Sequence, residues 1–319
     1  MSFRVLFTDL PWGNQEIEHE ILKTIDAEPV VAPDGGEETL ARLAGDVDAI
    51  TTCWAKVTDK VIAAAPRCRI ISRMGIGLDN ISIPAATARG IPVTNVPDYC
   101  VEEVADHALA LLLALARNVT FFHLRTKRGE YDLKAGPPMR RLAGQTLGLF
   151  GLGRIGRRVA EKARGLGLEV IAHTSSGSDH GTGCETVSFE ELLRRSDFVS
   201  VHAPLTPTTR HVFDDGALAQ MKPTAVLLNT SRGPLIDPEA LHRALAGNRL
   251  GGAGLDVFEP EPPDLSHPLY RDERVIVTPH AAFVSEESLA ELRTRVAQQI
   301  VARLKGGAPE NIVNGVTVP

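Results

Sequence analysis

The strongest constraint on the fold of this 319-residue chain is a glycine-rich turn near its middle. The apolar run 146–150 leads into G-x-G-x-x-G, and a helical pattern over 157–166 follows directly. In a strand, turn and helix of this kind, the glycines allow the tight turn, the approach of a cofactor pyrophosphate and close helix packing. The phosphates lie on the free N–H groups of the helix N-terminus. A purely structural glycine turn is the alternative. The pattern predicts a dinucleotide site formed by Gly151, Gly153, Arg154, Ile155 and Gly156.

The apolar runs divide the chain into two α/β halves. Both halves alternate short apolar runs with helical patterns, which is typical of parallel, doubly wound sheets. Longer helical patterns cover 15–26, 101–117 and 286–304. The strand candidates are 4–8, 29–32, 48–52, 69–73 and 92–95 in the first half, and 146–150, 168–172, 198–202, 225–229, 252–255 and 275–278 in the second.

The last helical pattern is expected to return to the first half, because the termini of a compact domain tend to lie close together at its surface. We therefore predict a discontinuous substrate domain, 1–99 with 286–319, and a dinucleotide-binding domain over 100–285. The predicted fold is α/β, with a flavodoxin-like sheet in the first domain and a Rossmann sheet in the second. Ligands of such sheets bind beyond the carboxyl ends of the strands, and the cleft between the domains is the default active site.

Composition excludes several other classes of protein. A net charge of −6 gives no reason to expect nucleic acid or an anionic membrane as the main partner. The four cysteines are too scattered for a metal site, and we expect free thiols in the cytoplasm. The segment 1–10 is typical of a first strand and not of a signal peptide. The longest apolar run, 108–116, is too short to span a bilayer and predicts a buried helix.

Three charged residues follow predicted strands of the second half, where one cleft can receive them all. Arg232 follows the strand 225–229, Glu261 lies in a proline-rich loop after 252–255, and His280 follows 275–278. Hydride transfer to a keto acid needs such a set: an arginine fork for the carboxylate, a histidine that supplies the proton, and a carboxylate that holds the histidine tautomer. Taken singly, Arg232 is better explained as a solvated surface charge, His280 is as well explained by packing or a helix start, and Glu261 carries no signal. Their shared position favours a catalytic one.

The chain resembles the D-isomer-specific 2-hydroxyacid dehydrogenase family over nearly its whole length. The stretch 280–286 is similar to the branch that contains the C-terminal-binding proteins, which are transcriptional corepressors with the dehydrogenase fold. Six segments carry the family resemblance in order: RMGIGLDN at 73–80, EVADH at 103–107, GLGRIG at 151–156, NTSRG at 229–233, GLDVFE at 254–259 and TPHAA at 278–282.

The resemblance implies roles for matched positions. Arg232 would bind the substrate carboxylate and carbonyl, His280 would be the general acid/base, and Glu261 would be its partner. A homodimer through the region 100–142 is also implied. Substrate contacts are expected from the glycine loop and its neighbours, Met74, Gly75, Ile76 and Gly77. Cofactor contacts are expected from Thr174, His202, Thr209, Thr230 and Asp256.

One departure from the family leaves the cofactor open between NAD and NADP. The fold usually carries an acid about 20 residues after the glycines, which binds the adenosine ribose. Here that place reads His173-Thr174-Ser175, so the repulsion that excludes a 2′-phosphate is missing. No Arg or Lys follows over 175–186 to bind such a phosphate. Arg154 is a candidate, with an exposed residue at the helix start as the equal alternative.

A second departure concerns the substrate. The loop 51–56 lacks the Arg-Ser pair of phosphoglycerate dehydrogenases, and the chain is too short for their C-terminal regulatory domain, so we expect 3-phosphoglycerate to be disfavoured. Cys53 and Trp54 are candidates to line a specificity pocket, with ordinary packing of Trp54 as the alternative. Lys56 is a candidate contact for a second anionic group.

The leading hypothesis is therefore an enzyme that reversibly reduces a small 2-keto acid to the D-2-hydroxy acid with NAD(P)H. The rival is a nucleotide-sensing scaffold like the corepressors, which Phe283 weakens because that branch has Trp at this position. The run 262–266 matches the P-x-D-L-S ligand motif of those corepressors, and we interpret it as coincidence. Reduction of a phosphonate or another unusual anion is a third hypothesis.

Overall fold

The computed structural model describes residues 2–318. The chain divides into two compact units, Met1–Tyr99 with Ser285–Pro319 (unit 1) and Cys100–Val284 (unit 2). These bounds differ from those of the predicted domains by one residue, because Ser285 falls in unit 1 and was predicted in the second domain. The elements in chain order are β1 (Phe3–Phe7), α1 (Glu16–Leu22), β2 (Ala27–Val31), α2 (Glu37–Ala44), β3 (Ala49–Thr52), α3 (Asp59–Ala63), β4 (Ile71–Arg73), α4 (Ile83–Ala88), β5 (Val93–Thr94), α5 (Val101–Ala116), α6 (Val119–Lys127), β6 (Thr146–Phe150), α7 (Arg154–Gly165), β7 (Glu169–His173), β8 (Glu185–Thr186), α8 (Phe189–Arg195), β9 (Phe198–Val201), α9 (Asp215–Leu218), β10 (Val226–Asn229), α10 (Pro238–Ala246), β11 (Gly252–Leu255), β12 (Val275–Val277) and α11 (Glu286–Leu304).

Unit 1 is built on a five-stranded parallel sheet in the order β2-β1-β3-β4-β5. This is the flavodoxin-like order. Its final helix, α11, is capped by Ser285, whose side chain accepts a hydrogen bond from the N–H of Ser288. A buried ion pair between Arg293 and Glu18, with N and O atoms 2.7 Å apart, joins α11 to α1. The packing of α11 in unit 1 is therefore stabilised by a buried ion pair as well as by apolar contacts.

Unit 2 is built on a seven-stranded parallel sheet in the order β12-β11-β10-β9-β6-β7-β8. The order reverses at β6, so the glycine turn after β6 lies at the topological switch point, where this fold binds dinucleotides. The sheet separates two apolar cores, because its strands are buried on both faces. One core is closed by α5, where Leu111 and Leu112 are buried.

The predicted fold class is confirmed, and several predicted bounds are wrong by one to three residues. Helix α7 begins at Arg154 and not at residue 157, because Gly153 already occupies the N-cap. The sequence prediction omitted α6, which follows Asn118 in the left-handed conformation and has no buried residue. A helix without a buried stripe has no apolar period to detect. Within the described residues no single helix can cross a membrane; α5 and α6 pass that test only as a pair bent by 64°.

Candidate active site

The glycine turn of unit 2 has the geometry that its sequence predicts. Gly151 has φ +101°, and a Cβ atom there would lie 2.7 Å from the carbonyl carbon of His202. A Cβ on Gly156 would lie 2.4 Å from the carbonyl oxygen of Gly151. By contrast, a Cβ on Gly153 would meet no atom within 4 Å. Gly151 and Gly156 are therefore required by the packing of the protein, while Gly153 leaves open space beside the turn.

Unpaired hydrogen-bond donors lie at the start of α7 and at the end of β10. The N–H groups of Arg154, Ile155 and Gly156 donate to no other described residue, as expected in the first turn of a helix. The hydroxyl of Thr230, at the end of β10, is buried and has no hydrogen-bond partner among residues 2–318. Arg154 itself is exposed. These features fit a bound dinucleotide, whose phosphates would lie on the helix N-terminus.

The end of β7 carries no acid at the position that usually binds the ribose. The His173 ring stacks on Phe150 with centroids 5.6 Å apart, and its Nδ1 lies 3.1 Å from the carbonyl oxygen of Val187. The hydroxyl of Thr174 donates to the carbonyl of Ser178. The nearby carboxylate of Asp179 accepts the N–H groups of its own loop, which lowers its pKa. Position 174 therefore carries a hydroxyl where the fold usually carries an acid.

His202 and Thr209 lie at the end of β9 and in the loop that follows it. Burial lowers the pKa of His202 to about 4, and its Nε2 lies 2.8 Å from the hydroxyl of Ser200. At neutral pH this imidazole is uncharged. The hydroxyl of Thr209 donates to the carbonyl of Pro204 and accepts the N–H of Thr206, so it shapes its own loop.

The three predicted catalytic side chains come together in unit 2. His280 Nδ1 lies 2.9 Å from Glu261 Oε2, and the other carboxylate oxygen of Glu261 accepts the N–H of Phe258. Burial alone would raise the pKa of Glu261, but His280, the Phe258 N–H and the charge of Arg232 together hold that pKa below its usual range. Glu261 is therefore an ionised partner of His280.

Local structure fixes Arg232 beside this pair. The buried side chain of Asn229 donates to the Arg232 carbonyl and accepts the Ser231 N–H, which forms a tight turn after β10. A Cβ on Gly233 would lie 1.9 Å from the carbonyl oxygen of Phe258. The glycine thus lets the Arg232 turn pack directly on the loop that carries Glu261.

Asp256 is completely buried and organises the His280 loop. Its carboxylate accepts the Thr278 hydroxyl and the N–H groups of Ala281 and Ala282. Its main-chain carbonyl accepts the N–H of His280, which has φ +53°. The predicted contact of Asp256 with the cofactor stays a prediction, whereas the observed contacts hold His280 in a left-handed conformation.

Sequence reasoning gave no role to His107, although it lies in one of the recognised segments. Its Nε2 lies 2.9 Å from the Thr278 hydroxyl, and that hydroxyl donates to Asp256. The imidazole therefore donates to Thr278 and extends the network under the His280 loop. The sequence clue to this role was the position of His107 on α5, because the structure packs this helix on β10 and β11.

Unit 1 contains the remaining predicted residues around the loop 75–77. The N–H groups of Gly75, Ile76 and Gly77 donate to no other residue in the described part of the chain. Burial raises the pKa of Cys53 to about 12, so its thiol is neutral, and the side chain of Trp54 is 43% exposed. Met74 is buried, and its N–H and carbonyl are both hydrogen-bonded within the unit, so we assign it to packing.

No cluster of three or more His, Cys, Asp or Glu residues that could hold a metal ion occurs among residues 2–318. All four cysteines are buried and free.

Comparison with known proteins identifies relatives of both units. The profile of "D-isomer specific 2-hydroxyacid dehydrogenase, NAD binding domain" matches residues 109–282. The chain is 42% identical over 277 residues to a glyoxylate reductase of Korarchaeum cryptofilum, covering 84% of this chain and 83% of the relative. It is 38% identical to a D-3-phosphoglycerate dehydrogenase of Methanocaldococcus jannaschii, covering 99% of this chain but 60% of that relative.

Two solved structures bear on the cofactor. A D-lactate dehydrogenase of Aquifex aeolicus, complexed with NAD and lactic acid, is 28% identical with a TM-score of 0.90, covering 98% of this chain and 100% of that one. An acyclic imino acid reductase in complex with NADPH and D-Arg is 27% identical with a TM-score of 0.88, at the same coverage. Structural neighbours of this chain thus include one with NAD and one with NADPH.

Proposed function

This chain belongs to the D-isomer-specific 2-hydroxyacid dehydrogenase family, and we propose that it reduces a small 2-keto acid to the D-2-hydroxy acid with NAD(P)H. Glyoxylate is the first substrate to test, because the glyoxylate reductase of K. cryptofilum is 42% identical over most of both chains. The observation that carries the proposal is the contact between His280 Nδ1 and Glu261 Oε2 at 2.9 Å.

That contact orients the proposed acid. The ionised Glu261 accepts the Nδ1–H of His280 and so holds the tautomer and the orientation of the ring. A reduced nicotinamide dinucleotide held at the glycine turn of unit 2 would supply the hydride for the carbonyl carbon. His280 would give its Nε2 proton to the carbonyl oxygen as that oxygen gains charge. Arg232 binds the substrate carboxylate and adjacent oxygen through its planar fork.

The cofactor site is assigned to the glycine turn of unit 2. We propose that Arg154, Ile155 and Gly156 bind the pyrophosphate through their N–H groups and that the orphan hydroxyl of Thr230 meets a polar group of the cofactor. His202, Thr209 and Asp256 are proposed to lie nearby. With no carboxylate at Thr174, the enzyme should accept NADPH as well as NADH.

The test is cofactor oxidation with glyoxylate, hydroxypyruvate, pyruvate and larger 2-keto acids, each with NADH and with NADPH. Turnover of at least one keto acid is expected. Tight nucleotide binding with no turnover of any of them would refute the enzyme and favour the nucleotide-sensing scaffold. Resemblance to the branch with the corepressors stays a prediction.

We also propose a homodimer through the region 100–142, in the cytoplasm. Within this region Tyr131 and Leu133 are 95% and 83% exposed, and Val119 and Leu124 are at least half exposed. Clustered exposed apolar side chains mark an interaction surface. Light scattering should give twice the mass of the chain. Replacing Tyr131 and Leu133 by Ser should weaken the dimer, and a wild-type monomer would refute it.

A further inference from the structure

The most unusual charge in unit 1 is the guanidinium of Arg73. Arg73 is the last residue of β4 and comes directly before the loop 75–77. Its relative exposure is only 6%, so the side chain is almost entirely buried. Its Nε is buried without a hydrogen-bond partner among residues 2–318. One of its other nitrogens, Nη1, donates to the carbonyl of Met74.

No carboxylate in the described chain pairs with this cation. Arg73 is absent from the ion pairs within 4.0 Å, unlike the other buried arginine of unit 1, Arg293, which is paired with Glu18. Cys53, which interacts with Arg73, and Asp9, which interacts with Cys53, do not supply the missing charge. Asp9 directs its carboxylate to the N–H groups of Cys53, Trp54 and Ala55. Cys53 is close enough to feel Arg73, but burial keeps its thiol neutral with a pKa of about 12.

A buried, unpaired cation is costly for a folded protein. Such groups are retained where a ligand supplies the missing anion, and the position of the guanidinium indicates which ligand. A Cβ placed on Gly75 would lie 2.7 Å from Nη1 and 3.1 Å from Cζ of Arg73. The charge therefore lies directly against Gly75, which has φ +146°.

The same loop offers unpaired N–H donors. Gly75, Ile76 and Gly77 donate to no described residue, although neighbouring Met74 and Val96 are both hydrogen-bonded. Successive free N–H groups form a concave site for an anion. Three donors and one uncompensated positive charge thus lie within the same few residues.

We propose that Arg73 is a positioning residue of the substrate site, whose charge stabilises the carboxylate of the 2-keto acid when the loop 75–77 binds it. The inference deepens the proposed function and rests on it for the identity of the substrate. It assigns to unit 1 a cation that acts across Gly75.

The experiment compares Arg73→Met, Arg73→Lys and the wild-type protein, with oxalate as the anion probe. Oxalate binding is measured as a rise in melting temperature and by titration calorimetry, and KM and kcat are measured with glyoxylate. Arg73→Met should weaken oxalate binding and raise KM about tenfold to hundredfold, the range of a hydrogen bond to a charged group. Cofactor affinity should stay unchanged. Arg73→Lys should recover part of the loss, because it keeps the charge without the planar fork.

Unliganded stability separates this role from a structural one. If the charge of Arg73 is compensated only when an anion binds, unliganded Arg73→Met should melt at the same temperature as the wild type or higher. The substitution removes an unpaired buried charge. Arg89→Met is the matched control. Arg89 donates to the carbonyls of Ile62 and Ala65, so its loss should lower the melting temperature and leave oxalate affinity unchanged.

Unchanged oxalate affinity and KM in Arg73→Met would overturn the proposal. The proposal would also be overturned if Arg73→Met and Arg89→Met lost oxalate affinity equally, and in proportion to their losses of melting temperature. A wild-type protein that binds oxalate through Arg73 but reduces no keto acid would refute the proposed function and leave the anion site standing.

Discussion

His280 Nδ1 lies 2.9 Å from Oε2 of Glu261, although 19 residues separate the two side chains in sequence. The carboxylate is held in turn by the Phe258 N–H, and the His280 backbone by the carbonyl of Asp256. The ring is edge-on to Phe283, with centroids 6.0 Å apart. The imidazole is therefore fixed from several sides before any ligand arrives.

The first prediction concerns that imidazole. His280→Asn should lower kcat for keto acid reduction by about 10²–10⁴, the usual contribution of a general acid. Asn is chosen because it tolerates the left-handed backbone at φ +53°. Steady-state kinetics should show the loss, while the Kd of NADH and the melting temperature stay near wild type. Turnover at the wild-type rate would remove His280 from the mechanism.

The second prediction concerns its partner. Glu261→Gln keeps the shape of the side chain but removes the negative charge that accepts the Nδ1–H of His280. The maximal rate of keto acid reduction should drop about tenfold or more, because the ring loses the partner that holds its tautomer. Asp264→Asn, which neutralises another carboxylate of the same loop, is the control. Identical maximal rates for wild type and Glu261→Gln would contradict the pairing.

The third prediction separates two glycines of one motif. Gly153→Ala adds a Cβ that meets no protein atom, so the unliganded protein should keep its melting temperature and lose about tenfold or more in cofactor affinity. Gly156→Ala places its Cβ 2.4 Å from the Gly151 carbonyl oxygen and should lower the melting temperature. Thermal unfolding and fluorescence titration with NADH check both variants. Unchanged cofactor affinity in Gly153→Ala would show that the open space is not the phosphate site.

The fourth prediction concerns cofactor choice. Thr174→Asp supplies the missing acid after β7 and should shift the ratio of Kd values toward NADH over NADPH by about tenfold or more, because a carboxylate repels the 2′-phosphate. Thr186→Asp adds the same charge at an exposed position of β8 and serves as the control. An equal shift in both variants would mean that net charge, and not position 174, sets the preference.

Sequence reasoning predicted the parts of the site that depend on local pattern. The glycine turn, the strand ends and the residues 232, 261 and 280 follow from periodicity and motif, because parallel strands bring their carboxyl ends to one edge. What it missed depends on partners distant in sequence. Arg73 was passed over as a strand residue, since only the three-dimensional arrangement reveals that it is buried without a counterion. His107 became visible only through Thr278, which lies 171 residues away.

The last prediction concerns His202, whose pKa burial lowers to about 4 from the usual value near 6.5. Between these values the unfolded chain binds a proton that the folded protein does not, so stability present above pH 6.5 is lost as pH falls toward 4. Between pH 8 and pH 5 this group should cost the folded state on the order of 2 kcal/mol. Urea unfolding at several pH values should show a flatter curve for His202→Asn than for wild type. His180→Asn, which removes an exposed imidazole from a left-handed position, is the matched control. Parallel curves for wild type and His202→Asn would mean that His202 is not the neutral imidazole described at the end of β9.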